Sequence, residues 1–481
     1  MHTGHNLWKQ TILFAMLLVG SGPLAGCGSE KKHSSEDDDA GDTSQPAETD
    51  SETASDTVAD SASETDSETA LDTEDFPPDL PDLCTRDRGQ TAASEEDDWS
   101  SETKGDGRGP VIVNGSETMM AWHYLSADDD AAWEIQVAPF DPEPDGGLPG
   151  PDEGPPGPRV NPADPGPVSM FPDLTPRGNA FGIAWQDGRF DPTCEKETLS
   201  KCQRQLALLS VDGQGQALSS PVPIQVTMDA NIATGPSIVA TEKGYIVIWS
   251  ERASSASTVM AVAVGENGTL GNPHQISAGN DADNNRKARI AALGSVIVVV
   301  WGTSSQSKIL GRTLGENAEP IGEIQSIQED CNCLYPDISA GGSGFVVSWS
   351  ETNGSDYEIF TRMLDGNGVP VAEAHQATWT TTDIFSSAVA SSTGDTFALA
   401  WSATKDNGES ECLVSTCHTQ VLATLLDENG RVMSRPVMLS EDPNPVGQFD
   451  LAFDGTGWTA VYELPRLGRK QVFYGRMVCD R

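Results

Sequence analysis

Residues 344–351 read "GFVVSWSE", and a hundred residues earlier 244–251 read "GYIVIWSE". In both, aromatic and β-branched residues alternate with small ones, which is the pattern of a strand rather than a helix. The phrase recurs along the chain. "MMAW" ends at Trp122, "AFGIAW" at Trp185, "GYIVIW" at Trp249, "VIVVVW" at Trp301, "GFVVSW" at Trp349 and "TFALAW" at Trp401, while "GWTAVY" sets Tyr462 in the same place. Successive spacings are 63, 64, 52, 48, 52 and 61 residues. A strand motif repeated at such a period marks stacked supersecondary units, and strand-rich periods near this size mark propeller blades.

Each copy has one internal order. A short strand ("PSIVA" 236–240, "PDISA" 336–340, "SSAVA" 386–390) leads through a Gly-rich turn to the tryptophan strand. A third strand follows ("EIFTRMLD" 358–365, "TQVLATLLD" 419–427), then a turn such as "GENG" 265–268, "DGNG" 365–368 or "DENG" 427–430. A polar fourth strand ends the unit ("HQIS" 274–277, "VMLS" 437–440). Tight Asn/Asp-Gly turns join antiparallel neighbours. The reading is an all-β, seven-bladed β-propeller of four-stranded antiparallel blades. A six-bladed ring with one divergent copy is the alternative.

Side chains alternate between the two faces of a strand. Phe345, Val347 and Trp349 therefore share one face, with Val346 and Ser348 on the other. Phe181, Ile183 and Trp185 likewise stand opposite Gly182 and Ala184. A bulky face against a small one lets each blade fill a recess in its neighbour, so Trp122, Trp185, Trp249, Trp301, Trp349, Trp401 and Tyr462 are read as blade-packing residues. The last copy stops after its third strand, "KQVFYGRMV" 470–478, with Cys479 next and Cys84 just ahead of the first blade. A Cys84–Cys479 disulfide is expected to pin first blade to last. Residues 84–100 are the candidate closing strand, although "TRDRGQTAAS" is a poor strand former.

The chain opens with Lys9, the apolar run "TILFAMLLVG" and small residues, the layout of an export signal rather than a membrane span. The run ends in Leu24-Ala25-Gly26-Cys27. That tetrad resembles the lipobox of bacterial lipoproteins, and the resemblance implies cleavage before Cys27 and lipidation of it. Gly28, in place of an aspartate, implies the outer membrane. Several acyl chains on one residue give stable anchoring, where a single chain would not. Residues 27–83 form an acidic Ser/Thr-rich tether with 19 Asp and Glu against Lys31 and Lys32, a net of −17 from residue 28 on. Almost free of large apolar side chains, it is expected to stay disordered. The propeller is then 84–481, with a proline-rich loop insertion at 139–176. The net charge of −44 counts against nucleic acid as a partner.

Eight cysteines remain beside Cys27, an even number in an exported chain. Cys194 with Cys202, and Cys412 with Cys417, are candidate local staples across corresponding loops. Cys331 and Cys333 are separated by one residue, and their pairing stays open. Zinc competes with disulfides but lacks CxxC pairs and repeated histidines.

Asp187, Glu251 and Glu351 each stand two residues after their tryptophan and are expected to gather on one rim, either as a solvated acidic edge or as a ligand-binding one. Tyr124, Thr303 and Ala403 interrupt any complete ring. Asp128-Asp129-Asp130 lacks the glycine and spacing of a calcium loop, so no cofactor is expected beyond a weak calcium site. The turns also lack the SxDxGxTW pattern of sialidase Asp-boxes, and no nucleophile elbow or P-loop is present. No catalytic residue is assigned. Together the lipobox and the tryptophan repeats resemble those of uncharacterised envelope lipoproteins with repeat domains. The first functional reading is a membrane-anchored binding propeller for a protein, peptide or glycan. A glycan hydrolase or lyase using the rim acids, and a scaffold of an envelope complex, are the alternatives, since fold alone does not decide function.

Overall fold

The computed structural model describes residues 76–480, except segments 93–106, 126–132, 141–168, 190–204, 225–230, 279–287 and 406–417 and a few shorter loop stretches. The repeats fold into seven antiparallel sheets. Their inner strands are Gly107–Asn114, Ser169–Arg177, Ser237–Thr241, Arg289–Leu293, Cys333–Gly341, Ile384–Ser391 and Phe449–Phe453. Each inner strand touches the next, and the seventh touches the first, so the sheets make a closed ring. Three strands of the first blade lie within the described residues, and the third blade carries an extra short strand, Asn231–Ile232.

Closure comes from the start of the chain. Cys84–Ala92 pairs with Arg469–Cys479 as the outermost strand of the seventh sheet, and Cys84 is bonded to Cys479. The register shifts at Arg86/Arg88 and Arg88/Thr91, the irregularity its composition foreshadows. Arg476 ties the junction further. It pairs with Asp87 on the closing strand and, at 2.7 Å, with Asp454 in the seventh blade's first turn. Burial alone would raise the Asp454 carboxyl, yet bonds from Arg476, Thr456 and Gly457 hold it below the usual range.

The ordered body begins earlier than its cysteine suggests. Residues 76–83, counted above with the tether, lie along the sixth blade. Phe76 meets the rings of Trp379 and Trp401 at 5.9 and 6.3 Å. Arg435 donates from its backbone N–H to the Pro81 carbonyl and from Nε to that of Leu80, and the Asp480 N–H donates to Leu83. The proline-rich excursion is also shorter than 139–176, because "FPDLTP" belongs to the inner strand Ser169–Arg177. Prolines are tolerated there because an inner strand is an edge strand, and Pro172 sits in a bulge.

The seven blade-packing side chains are at most 1% exposed. Trp185 shares a buried cluster with Met119 and Ala121 of the blade before it, Trp249 with Ala184, Trp301 with Ile246 and Ile248, and Trp349 with Val298 and Val300. Trp401 is clustered with Val346, Tyr462 with Ala398 and Ala400, and Trp122 with Val461 of the last blade. A buried indole removes about 150–250 Å² from water, ~5 kcal/mol of hydrophobic stabilisation each. Gly182 shows how close the fit is. A Cβ there would stand 2.4 Å from the Tyr245 ring of the next blade. The turn glycines have a different reason: Gly268, Gly368 and Gly430 adopt φ of 78–80°, open to glycine at little cost.

Candidate functional site

The inner strands enter the ring through Gly109-Pro110, Phe171-Pro172, Gly235-Pro236 and Tyr335-Pro336. Gly109, Phe171 and Tyr335 have φ of 58°, 54° and 53°, and register shifts follow in the same three blades. Bulky residues seldom take such angles. With or without a bulge, each blade's inner strand sets one residue opposite the position just before the packing aromatic. That residue is Asp173, Asp337 or Asp450 in the second, fifth and seventh blades. It is Val111, Ser237, Arg289 and Ala388 in the others.

Each aspartate bridges to the blade that follows. Asp173 Oδ2 accepts the Ile238 N–H at 3.0 Å, Asp337 Oδ2 that of Val389 at 2.9 Å, and Asp450 Oδ2 that of Ile112 at 2.9 Å. The last of these crosses the ring closure. The neighbour reached is uncharged at the equivalent position every time: Ser237, Ala388 and Val111. Arg289 Nε stands 3.6 Å from Asp337 Oδ1.

These carboxylates line an axial cavity of about 750 Å³ along the inner strands. Ile112, Leu174, Ile238, Ile338 and Leu451 supply apolar wall, and Phe171 and Tyr335 also face it. Burial raises the Asp173 and Asp337 carboxyls, against the attraction of Arg289. Asp450 is pushed up to about 7, by burial and then by the charges of Asp337 and Asp173, with the Ile112 hydrogen bond opposing. The three carboxylates thus feel one another.

A pH dependence follows. With its folded pKa above the ordinary 3.8, Asp450 contributes most to stability when protonated. That contribution is complete below about 4 and is lost as pH rises through about 7. Asp450→Asn keeps an acceptor for Ile112 without the charge. Its melting temperature is expected to match the parent's near pH 4 and exceed it by about 2–4 °C near pH 8. A constant gap across a calorimetric pH series would contradict the assignment.

Asp187, Glu251 and Glu351 do not form a solvated rim. Asp187 and Glu251 are 0% and 4% exposed, and Glu351 is half-buried. Each accepts the indole N–H of its own tryptophan: Trp185 to Asp187 at 2.8 Å, Trp249 to Glu251 at 2.9 Å, Trp349 to Glu351 at 2.8 Å. A spacing of two puts both side chains on one face of the strand. Where the acid is missing, at Trp122, Trp301 and Trp401, the indole nitrogen has no acceptor among the described residues. Asp187 also holds Arg189 in a 2.7 Å ion pair.

Cys331 is bonded to Cys333. Cys27, Cys194, Cys202, Cys412, Cys417 and Asp128–Asp130 lie outside the described residues. Among the described residues no helix is long and apolar enough to cross a membrane.

No protein-family model and no curated protein matches this chain. Solved structures do. A protein of unknown function from Dyadobacter fermentans is 8% identical with a TM-score of 0.44, over 83% of this chain and all of that one. The sialidase of Trypanosoma rangeli is 9% identical with a TM-score of 0.42, over 82% of this chain and 60% of its own length. An α-L-arabinofuranosidase of Fusarium graminearum is 9% identical with a TM-score of 0.41, over 64% of this chain and 92% of that one. The likenesses are distant, and no residue's role is carried over from them.

Proposed function

We propose that this chain is a lipid-anchored envelope protein whose propeller takes the cationic group of a peptide or an aminated glycan into its axial cavity. One observation carries the reading: three mutually interacting carboxylates face, among the described residues, a single guanidinium in one axial cavity. A concave cavity with convergent charged groups suits a small ligand or a projecting side chain. The lipobox at Cys27 and the acidic tether support the address, holding the ring away from an anionic surface.

The probe is a short lysine peptide, with its acetylated form as control, titrated calorimetrically. Binding is expected to tighten from pH 6 to pH 8, as Asp450 ionises near 7, and to weaken about tenfold in Asp337→Asn, roughly 1.4 kcal/mol. Equal binding of the acetylated peptide would end the proposal. The anchor is tested separately: Cys27→Ser should move the protein from membranes to the soluble fraction.

A glycan hydrolase is the second reading, favoured by Asp450 alone. A carboxyl titrating near 7 is poised to give or take a proton at neutral pH. Release of reducing sugar that disappears in Asp450→Asn would select it over binding.

A further inference from the structure

Cys331, Asn332 and Cys333 lead into the fifth blade's inner strand, and both cysteines sit in its apolar core, 2% and 3% exposed. Strand register sets Cys333 opposite Glu351. The two sulfurs and a Glu351 carboxylate oxygen all lie within 4.8 Å of one another, with Cys333 Sγ 3.8 Å from Glu351 Oε2. The surroundings fix the trio. Trp349 Nε1 donates to that same Oε2, orienting the carboxylate as an outer-sphere donor orients a ligand. The Cys331 N–H donates to the Ser307 carbonyl at 2.9 Å. Ser307 and Asp330, both with left-handed φ of 50° and 55°, shape the approach.

In the structure the sulfurs are joined. That bond spans a sequence separation of 2, against 395 for Cys84–Cys479. So short a loop constrains the unfolded chain little. Stapling therefore leaves the burial of the pair beside a carboxylate unexplained.

We propose that the reduced pair and Glu351 form a site for zinc or an ion of similar character. Two thiolates and one carboxylate would bind it, with a fourth tetrahedral position open to water or an outside ligand. The disulfide is the closed form. Opening takes two electrons from a dithiol, which becomes a cyclic disulfide and leaves two thiols. The entering ion then displaces their two protons. None of the three residues lines the axial cavity, so the site stands apart from the function proposed above.

The test uses the full chain, reduced with excess dithiol, freed of it anaerobically and titrated with cobalt(II), then zinc. The reduced protein should gain a thiolate-to-cobalt charge-transfer band that zinc abolishes, and the oxidised protein should not. Glu351→Gln keeps an acceptor for Trp349 and should weaken both ions about tenfold or more. Cys331→Ser/Cys333→Ser should lose the band. Should that variant fail to fold, zinc should still protect Cys331 and Cys333 from alkylation in the unmutated reduced chain. No uptake, unchanged affinity in Glu351→Gln, a band surviving without the two cysteines, or alkylation indifferent to zinc would each overturn the proposal.

Discussion

Replacing Cys84 and Cys479 together by serine is expected to lower the unfolding free energy by ~6 kcal/mol, the loop-closure entropy of a crosslink spanning the whole ring. The bond closes a sequence separation of 395, so it restricts the unfolded chain far more than any local staple. It also holds the outermost strand Cys84–Ala92 against Arg469–Cys479, whose register breaks twice. Urea unfolding should show a large drop in midpoint. Hydrogen exchange in 84–92 should rise ahead of the rest of the ring. A loss under about 1 kcal/mol would mean that Arg476, Asp87 and the strand pairing close the ring unaided.

Trimming the tryptophans to phenylalanine should divide them into two classes. Trp301→Phe removes an indole N–H that has no acceptor among the described residues, so its cost is that of a smaller ring, about 1–2 kcal/mol. Trp249→Phe makes the same cavity but also takes the indole donor from Glu251, 4% exposed. Removing a hydrogen bond to a buried charged group adds about 2 kcal/mol. Trp185→Phe and Trp349→Phe should follow Trp249→Phe, and Trp401→Phe should follow Trp301→Phe. The double variant Trp249→Phe/Glu251→Leu should recover most of the added cost. Equal losses across the blades would show that the carboxylates do nothing for the indoles.

The architecture was readable because each blade must solve the same packing problem with the same residues. Trp349 and its six counterparts recur wherever one sheet wedges into the next, and the strand period fixes which neighbours they face. The closing strand was readable only through its cysteine, since "TRDRGQTAA" has little strand propensity and is held by its partner and the disulfide. Residues 76–83 were hidden by composition: Phe76, Leu80 and Leu83 are thinly spread among prolines and acids, and their docking depends on a groove that the sixth blade supplies.

The site was harder to read. The tryptophan-to-acid spacing was visible, but its meaning turned on whether the second strand's end is buried, which no local pattern states. Nothing local sets Asp173, Asp337 and Asp450 apart, although each follows Pro or Phe on an inner strand. Only once the ring exists does that strand's free edge become a cavity wall, and only then do three distant carboxylates meet.

Ring closure is tested most directly by peptide mass mapping of the protein digested without reduction. The account predicts one species joining the peptide of Cys84 to that of Cys479. Free thiols at both positions, or either cysteine bonded elsewhere, would contradict it.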